Sequence, residues 1–182
     1  RQFLNNPSIH ATTCFLDSHH NIWLGTFNQG FFLDTKTKTT PDYIFNDIIR
    51  DRFVTRISPD ASDNLWIGTR YDGLYHYNIH THVMRHYTSA NLPTFRTYDV
   101  NTEIVTIAES KDGTIWAGSS SEGIYLVTPQ GELRQLTIPH RKWMNVTNIL
   151  PLRSGLMLYS LYEEGMFLTH PQTLDITSFT SD

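Results

Sequence analysis

A short phrase built around a tryptophan recurs along this chain and constrains its fold more than any other feature. Three copies share a polar turn, the Trp, a glycine two positions later and a Thr or Ser. A weaker fourth copy has Leu at the Trp position. The copies cover residues 21–26, 64–69, 113–119 and 155–160. Recurrence at a period of several tens of residues is typical of arrays in which each unit buries its faces against its neighbours.

The spacing within and between the copies is regular. The Trp position is occupied by Trp23, Trp66, Trp116 and Leu158, which lie 43, 50 and 42 residues apart. A glycine follows seven residues after each of these positions, at Gly30, Gly73, Gly123 and Gly165. An apolar, aromatic-rich run then begins, so each copy belongs to a longer unit of about 40 to 50 residues.

Each unit divides into four short runs that are rich in Val, Ile, Thr and aromatic residues and are separated by clusters of Gly, Pro, Asn and Asp. Such runs predict a four-stranded antiparallel meander. The Trp-bearing run is apolar at consecutive positions, as at Ile22, Trp23 and Leu24, although successive side chains of a strand point to opposite faces. Both faces of the sheet must therefore be covered, as they are in stacked blades. We predict an all-β chain, a β-propeller fragment of four four-stranded antiparallel blades.

The unit boundaries predict a single propeller piece over residues 1–182. An outer strand at residues 1–4 comes first, and the four blades cover about 11–46, 53–88, 103–137 and 145–179. The closing segments of a finished ring are not recognisable, so we expect an excised part of a longer propeller. The faces of its end blades would then be bare, which predicts self-association of the fragment.

The repeated Trp and Gly residues are expected to be structural. The Trp fills the space between blades, and the glycine two residues later leaves room for a side chain of the neighbouring blade. The glycine that opens the third strand supplies a left-handed turn conformation. This structural set comprises Trp23, Gly25, Gly30, Trp66, Gly68, Gly73, Trp116, Gly118, Gly123 and Gly165.

Composition argues against several classes of function. The net charge is −4, whereas a nucleic-acid-binding surface would be basic, so we expect no direct contact with nucleic acid. No apolar stretch approaches the roughly 18 residues of a membrane span. The single cysteine, Cys14, lies among apolar residues of a predicted first strand, and it is expected to be a buried, unreactive thiol.

The residues that most often carry chemistry form no recognised motif. Four of the nine histidines lie close together, at His76, His80, His82 and His86. They straddle one hairpin turn, where three or four metal ligands are not expected to converge, so they are interpreted as surface side chains. Glu163 and Glu164 are adjacent, not placed across a cleft as a glycosidase requires. We therefore predict no metal, no cofactor and no catalytic residue, and a segment that is not an enzyme.

The complete repeat resembles a known family, the two-component regulator propeller. The resemblance rests on residues 112–119 with 122–125 and on residues 63–69 with 72–75, and it weakens only in the fourth unit. In that family, such repeats form the periplasmic sensor region of hybrid two-component histidine kinases of Bacteroides-type bacteria, whose ligands are oligosaccharides. The resemblance implies a non-catalytic, periplasmic carbohydrate-sensing module of an inner-membrane protein. It also implies further propeller blades and a kinase as partners in the intact receptor.

We expect the oligosaccharide on the face formed by the loops after the second strands and by the connections between blades. Aromatic rings stack on the apolar face of a pyranose, while Arg, Asn and carboxylate groups bind its hydroxyls or an acidic group. The candidate ligand-binding residues are Phe27, Asn28, Arg70, Tyr71, Arg96, Tyr98, Arg141, Trp143, Tyr162 and Glu163. The competing interpretation is that several of these aromatics only pack the rim of the blades.

Two other functions stay open. Propeller enzymes of the streptogramin-lyase type have similar repeats, but they need a His over the central channel with an acidic or metal partner, and no motif here matches that site residue by residue. Alternatively, the chain is a protein-docking propeller module that contacts another domain through its loop face or its lateral edge.

Overall fold

The computed structural model describes residues 10–27, 31–33, 51–88, 103–136, 138 and 144–179. Every regular element within these ranges is a β-strand, which confirms the predicted all-β class. None of the described elements is a helix with the length and hydropathy needed to span a membrane. The chain divides into two compact units, Arg1–His86 and Tyr87–Asp182.

The first unit holds two antiparallel sheets, which we name blade 1 and blade 2. Blade 1 contains β1 (Ala11–Leu16), β2 (Ile22–Thr26) and β3 (Phe31–Leu33). Blade 2 contains β4 (Phe53–Pro59), β5 (Leu65–Arg70), β6 (Leu74–Tyr77) and β7 (Met84–Tyr87). The strands of each sheet are neighbours in chain order, so both are simple meanders. The outer strand predicted at residues 1–4 and the fourth strand of blade 1 lie outside the described residues.

The second unit also holds two antiparallel meanders, blade 3 and blade 4. Blade 3 contains β8 (Ile104–Glu109), β9 (Ile115–Ser119), β10 (Ile124–Val127) and β11 (Leu133–Leu136). Blade 4 contains β12 (Val146–Pro151), β13 (Met157–Leu161), β14 (Gly165–Thr169) and β15 (Ile176–Phe179). In all four blades the Trp phrase forms the second strand.

The first strand of every blade carries the same irregularity in its pairing with the second strand. One residue near the start of the strand is skipped in the register. The shifts lie between Ala11 and Thr13, Val54 and Arg56, Ile104 and Thr106, and Val146 and Asn148. An extra residue at this point increases the local twist and redirects the strand end. The bulge therefore sets how each first strand enters from the loop side of its blade.

The repeated tryptophan packs between blades. Trp23 of blade 1 is 3% exposed, and it shares one apolar cluster with Val54 and Ile57 of blade 2. Its ring meets Tyr77 edge-on at 6.2 Å between centroids. In the second unit, Trp116 is fully buried in the cluster that joins blade 3 to blade 4. The tryptophan of one blade thus covers the first strand of the next.

The glycine two residues after the Trp lies where two blades approach most closely. A Cβ on Gly25 would lie 2.6 Å from Cγ1 of Val54, and a Cβ on Gly118 would lie 2.5 Å from Cγ1 of Val146. Both valines belong to the first strand of the following blade. Because carbon atoms cannot approach this closely, any side chain at these positions would push the blades apart.

The glycines that open the third strands adopt a left-handed conformation. Their φ angles are 74° at Gly73, 83° at Gly123 and 93° at Gly165. Most residues with a Cβ are disfavoured at such angles. Gly68 is buried on its second strand, and Gly30 lies outside the described residues.

The turn before the Trp strand holds the indole ring in blades 1 and 2. Oδ2 of Asp17 accepts a hydrogen bond from Nε1 of Trp23 at 3.0 Å, and Oδ2 of Asp60 accepts one from Nε1 of Trp66 at 3.3 Å. Oδ1 of each Asp also accepts backbone N–H groups of its own turn. One carboxylate therefore fixes both the turn and the buried ring.

The prediction that Cys14 is buried is wrong. The thiol is exposed, because Cys14 alternates along β1 with Phe15, which packs against the core shared with blade 2. The equivalent positions, nine residues before the Trp position, carry Ile57, Ile107 and Ile149, all of which are buried. The face of β1 that carries Cys14 is therefore exposed, whereas the equivalent positions in the other three blades are buried.

Candidate functional site

The candidate site in the first unit lies where a second strand ends and a first strand begins. β5 ends at Arg70, which pairs there with Phe53, the first residue of β4. Phe27 directly follows β2, and its ring lies 4.5 Å from the ring of Phe53 between centroids. The loop after the Trp strand of blade 1 and the connection into blade 2 therefore meet at this end of the unit.

The guanidinium group of Arg70 lies over two aromatic rings. Its Cζ atom is 5.5 Å from the ring centroid of Phe53 and 5.0 Å from that of Tyr71, within the range of cation–π attraction. With Phe27, these residues form what we name the aromatic–arginine row: Phe27, Phe53, Arg70 and Tyr71. Phe27 and Tyr71 are 54% and 53% exposed, so both ends of the row are open to solvent.

The backbone at Tyr71 adopts an unusual conformation. Its φ angle is 75°, in the left-handed region that aromatic residues rarely occupy. Glu163, at the equivalent position in the loop of blade 4, has φ of 59°. Such conformations cost about 1–3 kcal/mol and tend to occur at functional positions. The loop geometry of blade 2 thus presents the Tyr71 ring outwards at some cost in stability.

A polar cluster centred on Asp72 supports the loop that carries Tyr71. Nε of Arg52 lies 2.6 Å from Oδ2 of Asp72, and the Tyr75 hydroxyl donates a hydrogen bond to the same carboxylate. His86 stacks on Tyr75 at 4.1 Å between centroids, and its Nε2 lies 2.6 Å from the Asp72 carbonyl oxygen. The residue next to Tyr71 is therefore held by three side chains.

The titration of Tyr75 is displaced in this cluster. Burial raises the pKa of Tyr75 to about 12, and its hydrogen bond to the Asp72 carboxylate acts in the same direction. The phenol therefore stays a neutral donor throughout the physiological range. The pKa of Arg52 is raised by its hydrogen bond to Tyr75 and by the charge of Asp72. The contacts that Tyr75 and Arg52 make with Asp72 thus keep their charge states near neutral pH.

Blade 3 contains a similar support without the aromatic–arginine row. The Tyr125 hydroxyl donates a hydrogen bond to the Glu122 carboxylate, and Nε2 of Gln135 donates to the Glu122 carbonyl oxygen at 2.6 Å. An acidic residue before the third-strand glycine and a Tyr two residues after it are common to blades 2 and 3. The support therefore recurs in blades 2 and 3, whereas the row belongs to the first unit.

The structure brings together three of the predicted site residues. Phe27, Arg70 and Tyr71 belong to the aromatic–arginine row. Tyr162 and Glu163 lie in the second unit, in the loop of blade 4, where Tyr162 is 59% exposed and its backbone N–H donates to the Asn145 carbonyl oxygen at 2.8 Å. The predicted residues outside the described part of the chain are Asn28, Arg96, Tyr98, Arg141 and Trp143.

Sequence reasoning missed Phe53. It lies at the predicted start of blade 2 and is absent from the candidate set, but its ring joins Phe27 to Arg70. The available signal was its place directly after Arg52, at the very connection that was expected to carry ligand contacts. A first-strand residue next to a blade connection can face the loops as well as the core.

Two of the four clustered histidines pack against aromatic side chains. His76 stacks on Trp66 with 4.4 Å between ring centroids, and Nδ1 of His82 lies 2.7 Å from the Tyr77 hydroxyl oxygen. The interpretation of these two as surface side chains is therefore corrected. Among the described residues, no three His, Cys, Asp or Glu side chains converge as metal ligands.

Comparisons with known proteins identify the fold. No protein-family model and no curated protein sequence matches the chain. An extracellular domain of a hybrid two-component system of B. thetaiotaomicron has 20% identity and a TM-score of 0.72 over 94% of this chain and 23% of that one. Virginiamycin B lyase of Staphylococcus aureus has 15% identity and a TM-score of 0.72 over 94% of this chain and 56% of that one. The computationally designed protein Ika4 has 12% identity and a TM-score of 0.65 over 91% of this chain and 94% of that one.

These values establish an architecture and leave the activity open. The chain spans 22%, 56% and 23% of the lengths of three natural proteins that share its fold. The resemblance to two-component regulator propellers is confirmed at the level of fold. The chain is a propeller-type protein that shares its fold with extracellular domains of Bacteroides hybrid two-component systems and with streptogramin B lyases.

Proposed function

We propose that this chain is a non-catalytic, periplasmic ligand-sensing module of a hybrid two-component sensor kinase, and that it binds an oligosaccharide at the aromatic–arginine row. One observation carries the proposal. Two half-exposed rings, Phe27 and Tyr71, end a row whose middle holds a guanidinium group. An exposed apolar patch at the loop end of a scaffold favours ligand contact.

The chemistry of the row suits a sugar. The exposed faces of Phe27 and Tyr71 can stack on the C–H face of a pyranose, which is apolar while its edge is polar. Arg70 has N–H donors in a rigid fork, which match hydroxyl pairs or a carboxylate on the sugar. Because the Asp72 cluster fixes the loop, the Tyr71 ring loses little freedom on binding.

The sensing role rests on the fold of related extracellular domains. Similarity to domains of hybrid two-component systems supports an extracytoplasmic module that passes a signal to a kinase, with further blades in the intact receptor. We extend the ligand-binding proposal to the remaining loop residues of the same chemical kind: Asn28, Arg96, Tyr98, Arg141, Trp143, Tyr162 and Glu163.

Calorimetric titration with a library of oligosaccharides, neutral and acidic, tests the proposal. Saturable heat without a new product in chromatography is the expected result. Turnover of an offered compound would instead favour an enzyme, the alternative supported by the fold shared with virginiamycin B lyase. No binding heat from any oligosaccharide of the library would contradict sugar binding and favour a docking module.

Variants of the row locate the site. Tyr71→Ala and Phe27→Ala should each weaken binding by about tenfold or more, because truncating a contact aromatic typically costs more than ~1 kcal/mol. Tyr71→Phe should retain most of the affinity, since stacking needs the ring and not the hydroxyl. Phe179→Ala is the matched control, because this ring is 51% exposed and lies on β15, outside the row.

A further inference from the structure

Arg70 is the charged member of the aromatic–arginine row and lies within it, not at its end. Its Cζ atom is 5.5 Å from the ring centroid of Phe53 and 5.0 Å from that of Tyr71, and the residue is half-buried. A guanidinium group is planar and directs its N–H bonds outward within that plane. The two rings therefore restrict the orientation of this group, while its N–H edge can still donate to a ligand.

The residue four positions after the Trp position differs from blade to blade. It is Phe27 in blade 1, Arg70 in blade 2, Ser120 in blade 3 and Tyr162 in blade 4, and the second strand forms in all four. In blade 3 this position ties the loop to the first strand, because Oγ of Ser120 accepts a hydrogen bond from the backbone N–H of Glu103 at 3.1 Å. A blade thus folds without a cation here, which favours a ligand as the reason for Arg70.

The charges around the row do not oppose an anion at Arg70. Asp72 follows Tyr71 in the chain, but Nε of Arg52 lies 2.6 Å from its carboxylate, and Arg52 offsets its charge. The carboxylate of Asp51 belongs to an exposed residue, where solvent and salt screen it. Because the net charge of the chain is −4, a preference for anionic ligands has to come from direct contact with Arg70.

We propose that the sugar bound at the aromatic–arginine row is a uronic acid, whose carboxylate pairs with the guanidinium group of Arg70. This inference rests on the proposed function and narrows its class of ligand. A planar carboxylate accepts two parallel N–H bonds from the guanidinium fork, and such ionised pairs are about twice as strong as neutral hydrogen bonds. A uronic acid carries this group at the edge of a pyranose ring, so one sugar residue supplies both the ion pair and an apolar face for an aromatic ring.

Matched pairs of ligands test the inference. The 182-residue chain is titrated with oligosaccharides of glucuronic or galacturonic acid, and with the same oligosaccharides after reduction of each carboxyl group to a primary alcohol. The acidic form should bind at least about tenfold more tightly, because the reduced form keeps the ring face and loses the anion. Raising NaCl from about 0.05 M to about 0.5 M should weaken binding of the acidic form more than binding of the reduced form.

Variants of Arg70 assign the preference to this side chain. Arg70→Gln should bring the ratio of the two affinities close to one, since an amide is planar and polar but uncharged. Arg70→Lys keeps the charge without the fork and should retain only part of the preference. Arg134→Gln is the control, because Arg134 is 62% exposed, pairs with Glu132 and lies on β11, outside the row. Urea midpoints establish that each variant is folded, and a wild-type ratio in folded Arg70→Gln would overturn the proposal.

The ligand pairs also separate failure of this inference from failure of the proposed function. Equal affinity for the acidic and reduced forms would overturn the uronic acid and leave the sugar contact standing. Binding of neutral oligosaccharides alone would do the same. Tighter binding of a sulfated sugar than of any uronate would overturn the choice of a planar carboxylate. If no oligosaccharide binds, acidic or neutral, the proposed function is overturned and this inference with it.

Discussion

Replacing Asp17 by Ala should destabilise blade 1 more than the loss of one small side chain suggests. The carboxylate is 6% exposed and accepts four hydrogen bonds. They come from Nε1 of Trp23 at 3.0 Å, from the backbone N–H of Asn21 at 2.7 Å and of His19 at 2.9 Å, and from Nδ2 of Asn21 at 3.1 Å. The alanine variant removes every one of these acceptors.

The expected loss follows from the donor that cannot reach water. Trp23 is 3% exposed, so its N–H is left buried and without an acceptor, which costs about 1–3 kcal/mol. The backbone N–H groups of the turn are less buried and regain water, so losing their bonds adds about 1 kcal/mol. We expect a loss of ~2–4 kcal/mol in the free energy of unfolding.

Blade 3 provides the matched control, because the same acceptor is already missing there. Ser110 occupies the position of Asp17, and Nε1 of the buried Trp116 lacks a hydrogen-bond partner. Ser110→Ala removes one O–H donor, which has the Asp112 carboxylate and the Thr114 carbonyl oxygen within reach, with a cost of about 1 kcal/mol. Urea unfolding of both variants measures the difference. Equal losses would refute the assignment of a bonded indole in one blade and an unbonded indole in the other.

Three further outcomes are expected. Burial raises the pKa of Asp17, but hydrogen bonds from Trp23 and its own turn outweigh burial and leave the folded pKa below its ordinary value. The Asp17 carboxylate therefore contributes its full stabilisation above the unfolded-state pKa of about 3.9, and this stabilisation is lost as the pH falls through the lower folded-state pKa. The urea midpoints of the wild type and of Asp17→Ala should consequently converge in acid. Trp66→Ala should cost ~3–5 kcal/mol and Tyr71→Ala within about 0.5 kcal/mol, because their exposed fractions are 5% and 53%; similar urea midpoints would contradict this. Gly118→Ala should cost ~1–3 kcal/mol by overpacking Val146, and thermal unfolding should show partial recovery with Val146→Ala added.

The strand pattern was predictable because one phrase carries several constraints at once. Consecutive apolar residues at Ile22, Trp23 and Leu24 require cover on both faces, and a glycine at a fixed offset marks the turn that follows. These constraints act within a few residues of each other. The described strands of all four blades consequently coincide with the predicted runs.

The contacts between blades were less predictable, since they join residues about 40 positions apart. Cys14 has the sequence neighbourhood of a buried residue, but its exposure depends on whether another sheet covers that face of β1. Phe53 has the pattern of a first-strand residue, but its ring reaches Phe27 of the preceding blade. The hydrogen bond from Trp23 to Asp17 has a signal in the sequence, because an Asp lies six residues before both Trp23 and Trp66.

Residues that differ between equivalent positions of the blades are the ones that indicate a function. Contacts shared by blades, such as the Tyr75 and Tyr125 supports of blades 2 and 3, stabilise loops with and without an exposed ring and so reveal nothing about a ligand. The ring at Tyr71 has no counterpart in blade 3, where Ser121 stands at the same position. A repeat needs no exposed aromatic there to fold, because blade 3 folds without one. The left-handed backbone recurs at Glu163 of blade 4, so the exposed aromatic ring, and not the backbone, is the feature on which the proposed sugar contact rests.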